Sequence, residues 1–328
     1  MQSLKYISSR LVLVASLFVI GGPAWANAEN YPNKPIQIIV PFSAGGVVDL
    51  ITRAVAQPLS QKYGQPVIVE NKTGAGGTIG TGYVANQPAD GYTLLSVSPS
   101  HAVAVSLIKG LTWDPVKDFR AILGFGFVPN VFVVNPSVPA ETMAEFIDLA
   151  KKSETPLTYG TAGNGTSNHL SGAQLAQMAG IKLEQIPYRG QTDALSDLLA
   201  GRIDSMPLTI TLAQQYIANE KLRALAVTPQ TRASSLPDVP TIAESTTLSD
   251  YDVRTWFGFV APKGVPDDVV QKLATDISEI LSRDDIKQQL THMGLEIQPQ
   301  SPGEFDTFIA SEKQKWGGIM KSEGVQAQ

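Results

Sequence analysis

Gly165-Thr166-Ser167-Asn168-His169 comes within one residue of G-x-S-x-G, the strand-to-helix turn that presents a nucleophilic serine. The closing glycine of that pattern relieves crowding at a strained turn. His169 stands in its place, which weighs against Ser167 as a nucleophile. The histidine is not placed to act as its base either. Residues two apart on a helix point to different sides, so Ser167 and His169 are not expected to pair. His101, His169 and His292 are the only histidines, none at a metal-pair spacing, and the chain has no cysteine. Thiolate metal sites and disulfides are excluded, and each histidine is read as a hydrogen-bonding structural residue.

Three loops of small residues remain. Pro41-Phe42-Ser43-Ala44-Gly45-Gly46 lies between an apolar run and a helical pattern. Asn71-Lys72-Thr73-Gly74-Ala75-Gly76-Gly77 resembles a dinucleotide loop, but G-x-G-x-x-G from Gly74 needs glycine where Ile79 stands, and G-x-x-x-x-G-K-[ST] is absent. No cofactor is expected. The third loop opens the helix that begins near Ser167. A helix start leaves its first N–H groups unpaired and carries partial positive charge. Glycine lets a ligand approach that backbone closely. An isolated Gly-Gly also fits a plain tight turn. Three such loops, each at a strand end before a helix, read together as a cleft rich in N–H donors. It would surround an anion without doing chemistry on it. The N–H groups around Gly163–Ser167 are expected to bind a carboxylate, with Phe42–Gly46 facing them.

The elements that must position these loops alternate strand and helix. "IQIIVPF" (36–42) is a continuous apolar run, as in a strand buried on both faces, and a helical pattern follows from about Val47 to Tyr63. Pro58 inside it removes a donor and is expected to kink or shorten the helix. Further strands are expected at Val67–Glu70, Thr93–Val97, Val131–Val134, Leu157–Gly160 and Trp256–Pro262, and within "IDSMPL" and "LRALAVT". Thr142 and Glu145 have capping-box spacing, as do Ser301 and Glu304, with Pro302 at the first helical position. This order argues for an α/β fold with right-handed crossovers. About 300 mature residues usually form two domains. A polar linker near residue 125 is missing. "AILGFGFVPNVFVV" crosses that region as strand material, with "WFGFVAP" as its return partner. One unit is expected from 27–127 plus 254–328 and a second from 128–253.

The start of the chain has the pattern of a signal peptide. Lys5 and Arg10 precede the apolar run Leu11–Ile20, and Ala24-Trp25-Ala26 forms an A-x-A cleavage pattern. Removing 1–26 takes away those two cations and no acid, moving the formal charge from −5 to −7. The product is expected to be a soluble, mildly acidic periplasmic monomer. It lacks the basic excess of a nucleic-acid binder.

Collinear segments carry a family resemblance: "YPNKPIQIIVPFSAGGVVDLITR", "GQPVIVENKTGAGGTIGTGYVA", "PADGYTLL", "DPVKDF", "GNGTSNHLSG", "PYRGQTDALSDLLAGRID", "LPDVPTIAES" and "WFGFVAPKGVP". Over its whole mature length the chain resembles the Bug-type receptors, periplasmic substrate-binding proteins of tripartite tricarboxylate transporters. The resemblance implies a two-lobed periplasmic-binding-protein fold, type II, with a small carboxylate in the cleft between lobes and permease subunits as partners. Carried over by motif, first-lobe ligand contacts fall on Phe42, Ser43, Ala44, Gly45, Gly46 and Asp49, with Thr73, Gly74 and Ala75 beside them. Second-lobe contacts fall on Thr161, Gly163, Gly165, Thr166, Ser167 and His169, with Tyr188, Asp204 and Thr209 near the cleft.

The chain departs from the family pattern at Leu111-Thr112-Trp113, where an aromatic is common before Asp-Pro, and at Leu208-Thr209, where Phe-Asp is frequent. With Thr209 facing the cleft instead of Asp, a ligand ammonium would lose a partner, which leans toward a plain carboxylate. Two other classes stay open: a periplasmic sensor acting on a signalling partner, and an exported hydrolase using Ser167.

Overall fold

The computed structural model of the protein describes residues 30–188 and 190–322. The signal segment expected at 1–26 lies outside them. Strands and helices alternate through the first half as β1 (Ile36–Val40), α1 (Val47–Tyr63), β2 (Val67–Asn71), α2 (Thr78–Ala85), β3 (Thr93–Val97), α3 (Pro99–Leu107), β4 (Phe119–Val128), β5 (Asn130–Val134), α4 (Met143–Lys152), β6 (Leu157–Thr161) and α5 (Ser167–Ala179). The rest follows as β7 (Leu183–Pro187), α6 (Gln191–Leu199), β8 (Ser205–Thr209), α7 (Ile210–Ala218), β9 (Arg223–Val227), α8 (Ile242–Ser245), β10 (Thr255–Pro262), α9 (Asp267–Ser282), α10 (Asp284–His292), β11 (Glu296–Gln300) and α11 (Pro302–Ser322).

Two sheets result. One has six strands in the order β11-β4-β10-β3-β1-β2, the other five in the order β7-β6-β8-β5-β9. β1 pairs in parallel with β2 and β3, and β6 with β7 and β8. Their carboxyl ends therefore share a side of each sheet, which is where ligand loops gather. β4 and β5 are separated only by Pro129, yet they lie in different sheets. The chain returns beside this crossing. Val253 N–H donates to the Thr228 carbonyl at 3.0 Å, and β10 then pairs antiparallel to β4, with Thr255 opposite Val128.

α1 runs unbroken across Pro58 and ends at Gly64 in the left-handed region (φ 62°). Val55, Ala56, Pro58 and Leu59 are buried on it, and this packing outweighs the one lost backbone bond. The Thr142 cap forms as the spacing predicts, its side chain accepting from Glu145 N–H at 3.2 Å. α11 serves both sheets: Phe305 and Ile309 join a cluster with Trp256 and Phe119, while Trp316, Ile319 and Met320 pack with Phe132, Leu170 and Tyr251. α3 likewise reaches the second core through Val103. Among the described residues no helix is long and apolar enough to cross a membrane.

Candidate functional site

The turn after β1 is held from behind. Gly45 takes φ 79°, and its N–H donates to the Asp49 carboxylate at 2.9 Å. Asp49 also accepts from Arg53 Nε at 3.0 Å and Asn71 Nδ2 at 2.9 Å. Asn71 Nδ2 donates in addition to the Phe42 carbonyl at 3.0 Å. Burial raises the cost of charge on Asp49, but the bonds from Arg53, Gly45 and Asn71 prevail and hold its carboxyl below the ordinary value. This nearly fully buried residue is a brace for the turn. Gly46 caps α1 without a side chain, and the first intrahelical bond is Leu50 N–H to the Gly46 carbonyl at 2.9 Å. The N–H groups of Val47 and Val48 thus have no helical acceptor.

The loop after β6 is built the same way. Gly163 (φ 108°) donates its N–H to Thr161 Oγ1 at 3.3 Å, and Gly165 (φ 77°) donates to His169 Nδ1 at 3.0 Å. Thr166 Oγ1 donates to the Gly163 carbonyl at 2.7 Å. The expectation that the whole run Gly163–Ser167 binds an anion is therefore corrected. The Gly163 and Gly165 N–H groups are spent inside the loop, and the open ones belong to the first turn of α5, at Ser167 and Asn168. The Ser167 hydroxyl has no hydrogen-bond partner among the described residues and lines the cavity. His169 accepts from Gly165 and is not paired with Ser167, so the turn holds no serine–base pair. A Cβ at Gly165 would meet Leu107 Cδ1 at 2.7 Å, so α3 closes the back of this loop.

Two further helix starts reach the same cavity. Neither was singled out from the sequence. Ser98 caps α3, with Pro99 at its first position. "TLLSV" followed by Ser-Pro-Ser carries that N-cap and Pro signature and could have revealed it. Gly190 caps α6. There Gln191 Oε1 accepts from Thr209 N–H at 3.0 Å and Thr209 Oγ1 at 2.7 Å, leaving the amide NH2 as its free end.

These parts enclose a cavity of about 890 Å³. Of the expected residues, Phe42, Ser43, Gly46, Ala75, Gly163, Gly165, Thr166, Ser167 and Tyr188 line it. Ala44, Gly45, Asp49, Thr73, Gly74, Thr161, His169, Asp204 and Thr209 do not. Each of several has another task. Thr161 Oγ1 accepts from Gly163 N–H and from Gln185 Nε2 at 2.9 Å. Asp204 stands at the amino end of β8, away from the strand ends that carry the loops, and accepts from Thr158 N–H and hydroxyl at 2.7 Å. Thr209 does not face the cleft as a substitute for Asp; its hydroxyl positions Gln191. Gly74 lies under Ile79, whose Cδ1 would sit 2.6 Å from an added Cβ. Val47, Leu107, Ile108, Asn164, Asn168, Thr255 and Phe257 complete much of the wall. No charged side chain among the described residues lines the cavity.

Burial pushes the His169 imidazole down to about 4, which keeps it neutral and able to accept from Gly165. His101 is also pushed down to about 4 by burial, opposed by the Pro115 backbone and Asp114. The Pro115 backbone is its one polar neighbour of note among the described residues, and neither ring nitrogen makes a hydrogen bond of good geometry. Its ring stacks on Trp113 at 5.6 Å and meets Phe119 edge-on. The Tyr188 phenol, desolvated and donating to Asp197 at 2.8 Å, is pushed up to about 12.

Residues 51–325 match the family model of the tripartite tricarboxylate transporter family receptor. The chain belongs to this receptor family. It is 36% identical over 288 residues to a UPF0065 protein from the tcbD–tcbE intergenic region of Pseudomonas sp. strain P51, covering 88% of this chain and 86% of that one. Among solved structures, the receptor resembles the periplasmic binding protein BugD (TM-score 0.76, 34% identity, 91% of this chain and 100% of that one). It also resembles R. palustris Rpa4515 with adipate (TM-score 0.79, 31% identity, again 91% and 100%). The receptor therefore has the two-lobed α/β fold of periplasmic binding proteins, built on two sheets.

Proposed function

We propose that this protein is an exported receptor that captures a small carboxylate between its lobes and delivers it to the membrane permease of a tripartite tricarboxylate-type transporter. One observation carries the reading: the amino ends of α1 and α5, which follow strands of different sheets, open onto one cavity that no charged side chain lines among the described residues. Free N–H groups and helix dipoles favour an anion there, and closure over it shields the ligand from water. The adipate held by a relative supports the ligand class. In this reading residues 27–127 plus 254–328 form the first lobe and 128–253 the second, hinged at Val128–Asn130 and Val253–Thr255. The leader is cleaved after Ala26, releasing a periplasmic monomer. Calorimetry of the mature protein against a panel of carboxylates tests the function. Saturable binding to at least one, abolished in Gly165→Leu, is expected; absence of binding across the panel rejects it. N-terminal sequencing of periplasmic extract tests export, and retention of Met1 in the membrane fraction rejects it.

A further inference from the structure

Gln191, at the first position of α6, lines the cavity and is half-buried. We propose that it sets the receptor's specificity: its amide NH2 donates to an oxygen of the bound acid, and the site rejects an ammonium at that point. Thr209 is the positioning residue behind it. The proposal rests on the carboxylate-receptor reading above and adds a selection rule to it.

The first argument is the direction of the amide. A side-chain amide offers a carbonyl oxygen at one end and two N–H donors at the other, and the two ends are nearly alike in shape. At Gln191 the backbone decides between them. The Thr209 N–H lies 3.0 Å from Oε1, and an N–H can only donate. A flipped amide would set NH2 against N–H, two donors with no acceptor between them. The Thr209 hydroxyl adds a second bond to the same oxygen at 2.7 Å. With Oε1 engaged twice, Nε2 is the end left over, and it has no acceptor among the described residues.

The second argument is that this polarity does not reverse. Ser43 and Ser167 also line the cavity, but a hydroxyl turns to donate or accept as its partner requires. The Gln191 amide cannot turn without breaking both bonds to Thr209. An oxygen of a carboxylate, carbonyl or hydroxyl facing Nε2 gains a hydrogen bond. An ammonium in the same place meets donor with donor, and leaving a desolvated polar group unpaired costs more than an average hydrogen bond returns. Thr209 stays out of the cavity wall and acts only through Gln191.

The test is calorimetry on the folded mature protein with two matched pairs of probes: malate and aspartate, adipate and 2-aminoadipate. The second of each pair carries an ammonium that the first lacks. The acid of at least one pair should bind at least about ten-fold tighter than its ammonium-bearing counterpart. Gln191→Glu keeps an oxygen for both Thr209 bonds, loses the donor, and sits at a helix start, where acids are tolerated. With melting temperature unchanged, it should weaken that acid at least about ten-fold and narrow the gap to its counterpart. Gln191→Met removes the donor without adding charge and should weaken the acid at least about three-fold. Thr209→Val should reproduce part of that loss, and Thr209→Ser should restore it. Wild-type affinity for the acid in both Gln191 variants overturns the assignment and leaves the receptor reading intact. So does a counterpart that binds the unaltered receptor as tightly as its acid. A lower melting temperature with unchanged affinity reduces Gln191 to a brace for the end of β8, which also overturns it. Binding by none of the four probes overturns both readings.

Discussion

His169 Nδ1 accepts the N–H of Gly165 at 3.0 Å, across the turn that opens α5. The bond requires an unprotonated nitrogen, and burial keeps it so. A side chain outside the cavity wall thereby fixes a loop that forms part of it.

A pH dependence follows from this pair. The folded pKa of His169 is lowered to about 4 from 6.5, and that of His101 likewise. The unfolded chain therefore takes up protons first as pH falls. Stability is full above about pH 6.5 and declines between there and about pH 4, by on the order of 3 kcal/mol for each histidine. Urea unfolding across that window measures the decline. NMR titration assigns it, and an imidazole of His169 that titrates at its ordinary value would refute the cause.

Gly165→Ala meets two obstacles, φ 77° and Leu107 Cδ1 at 2.7 Å. The backbone strain alone costs roughly 1–3 kcal/mol. Lower stability and carboxylate affinity weakened at least about ten-fold are expected, from thermal melts and calorimetry on the folded fraction. Wild-type affinity in this variant would show that the loop does not form the site.

Ser167→Ala separates binding from stability. The hydroxyl has no hydrogen-bond partner among the described residues, so its removal should leave the melting temperature unchanged. Affinity should fall by about 0.5–1.5 kcal/mol for a neutral hydrogen bond, or up to about 3 kcal/mol for one to a charged group. A destabilised variant with normal affinity would assign the hydroxyl to the fold.

Glu312 should matter for the fold rather than the ligand. Its Oε2 accepts from Trp256 Nε1 on β10 and Trp316 Nε1 on α11, both at 2.9 Å. Glu312→Ala leaves two buried indole donors unpaired, at about 1–3 kcal/mol each, and Glu312→Gln keeps an acceptor and should lose less. Equal urea midpoints for the two variants would contradict this.

The strands and loop positions were legible because their causes are local. "IQIIV" is apolar throughout and becomes β1, buried along nearly all its length. Thr142 finds Glu145 three residues on, and Ser301 finds Glu304, because a cap and its partner share one helical turn. Gly-rich stretches after strands pointed to anion loops for the same reason, and the ordered motifs were enough to suggest the family.

Which groups of those loops remain free was decided only by the tertiary structure. The Gly165 N–H is consumed by His169, the Gly45 N–H by Asp49, and the Thr209 hydroxyl by Gln191 from a neighbouring helix. α3 and α6 enter the wall because β3 and β6–β8 aim their ends at one cleft, although 68 residues or more separate Ser98 from Thr166 and Gln191 in the chain. Pro58 left α1 intact because burial of its neighbours outweighed one missing hydrogen bond. Local residue order sets where donors can arise; which of them stay unpaired depends on partners brought close only when the two sheets and their helices pack.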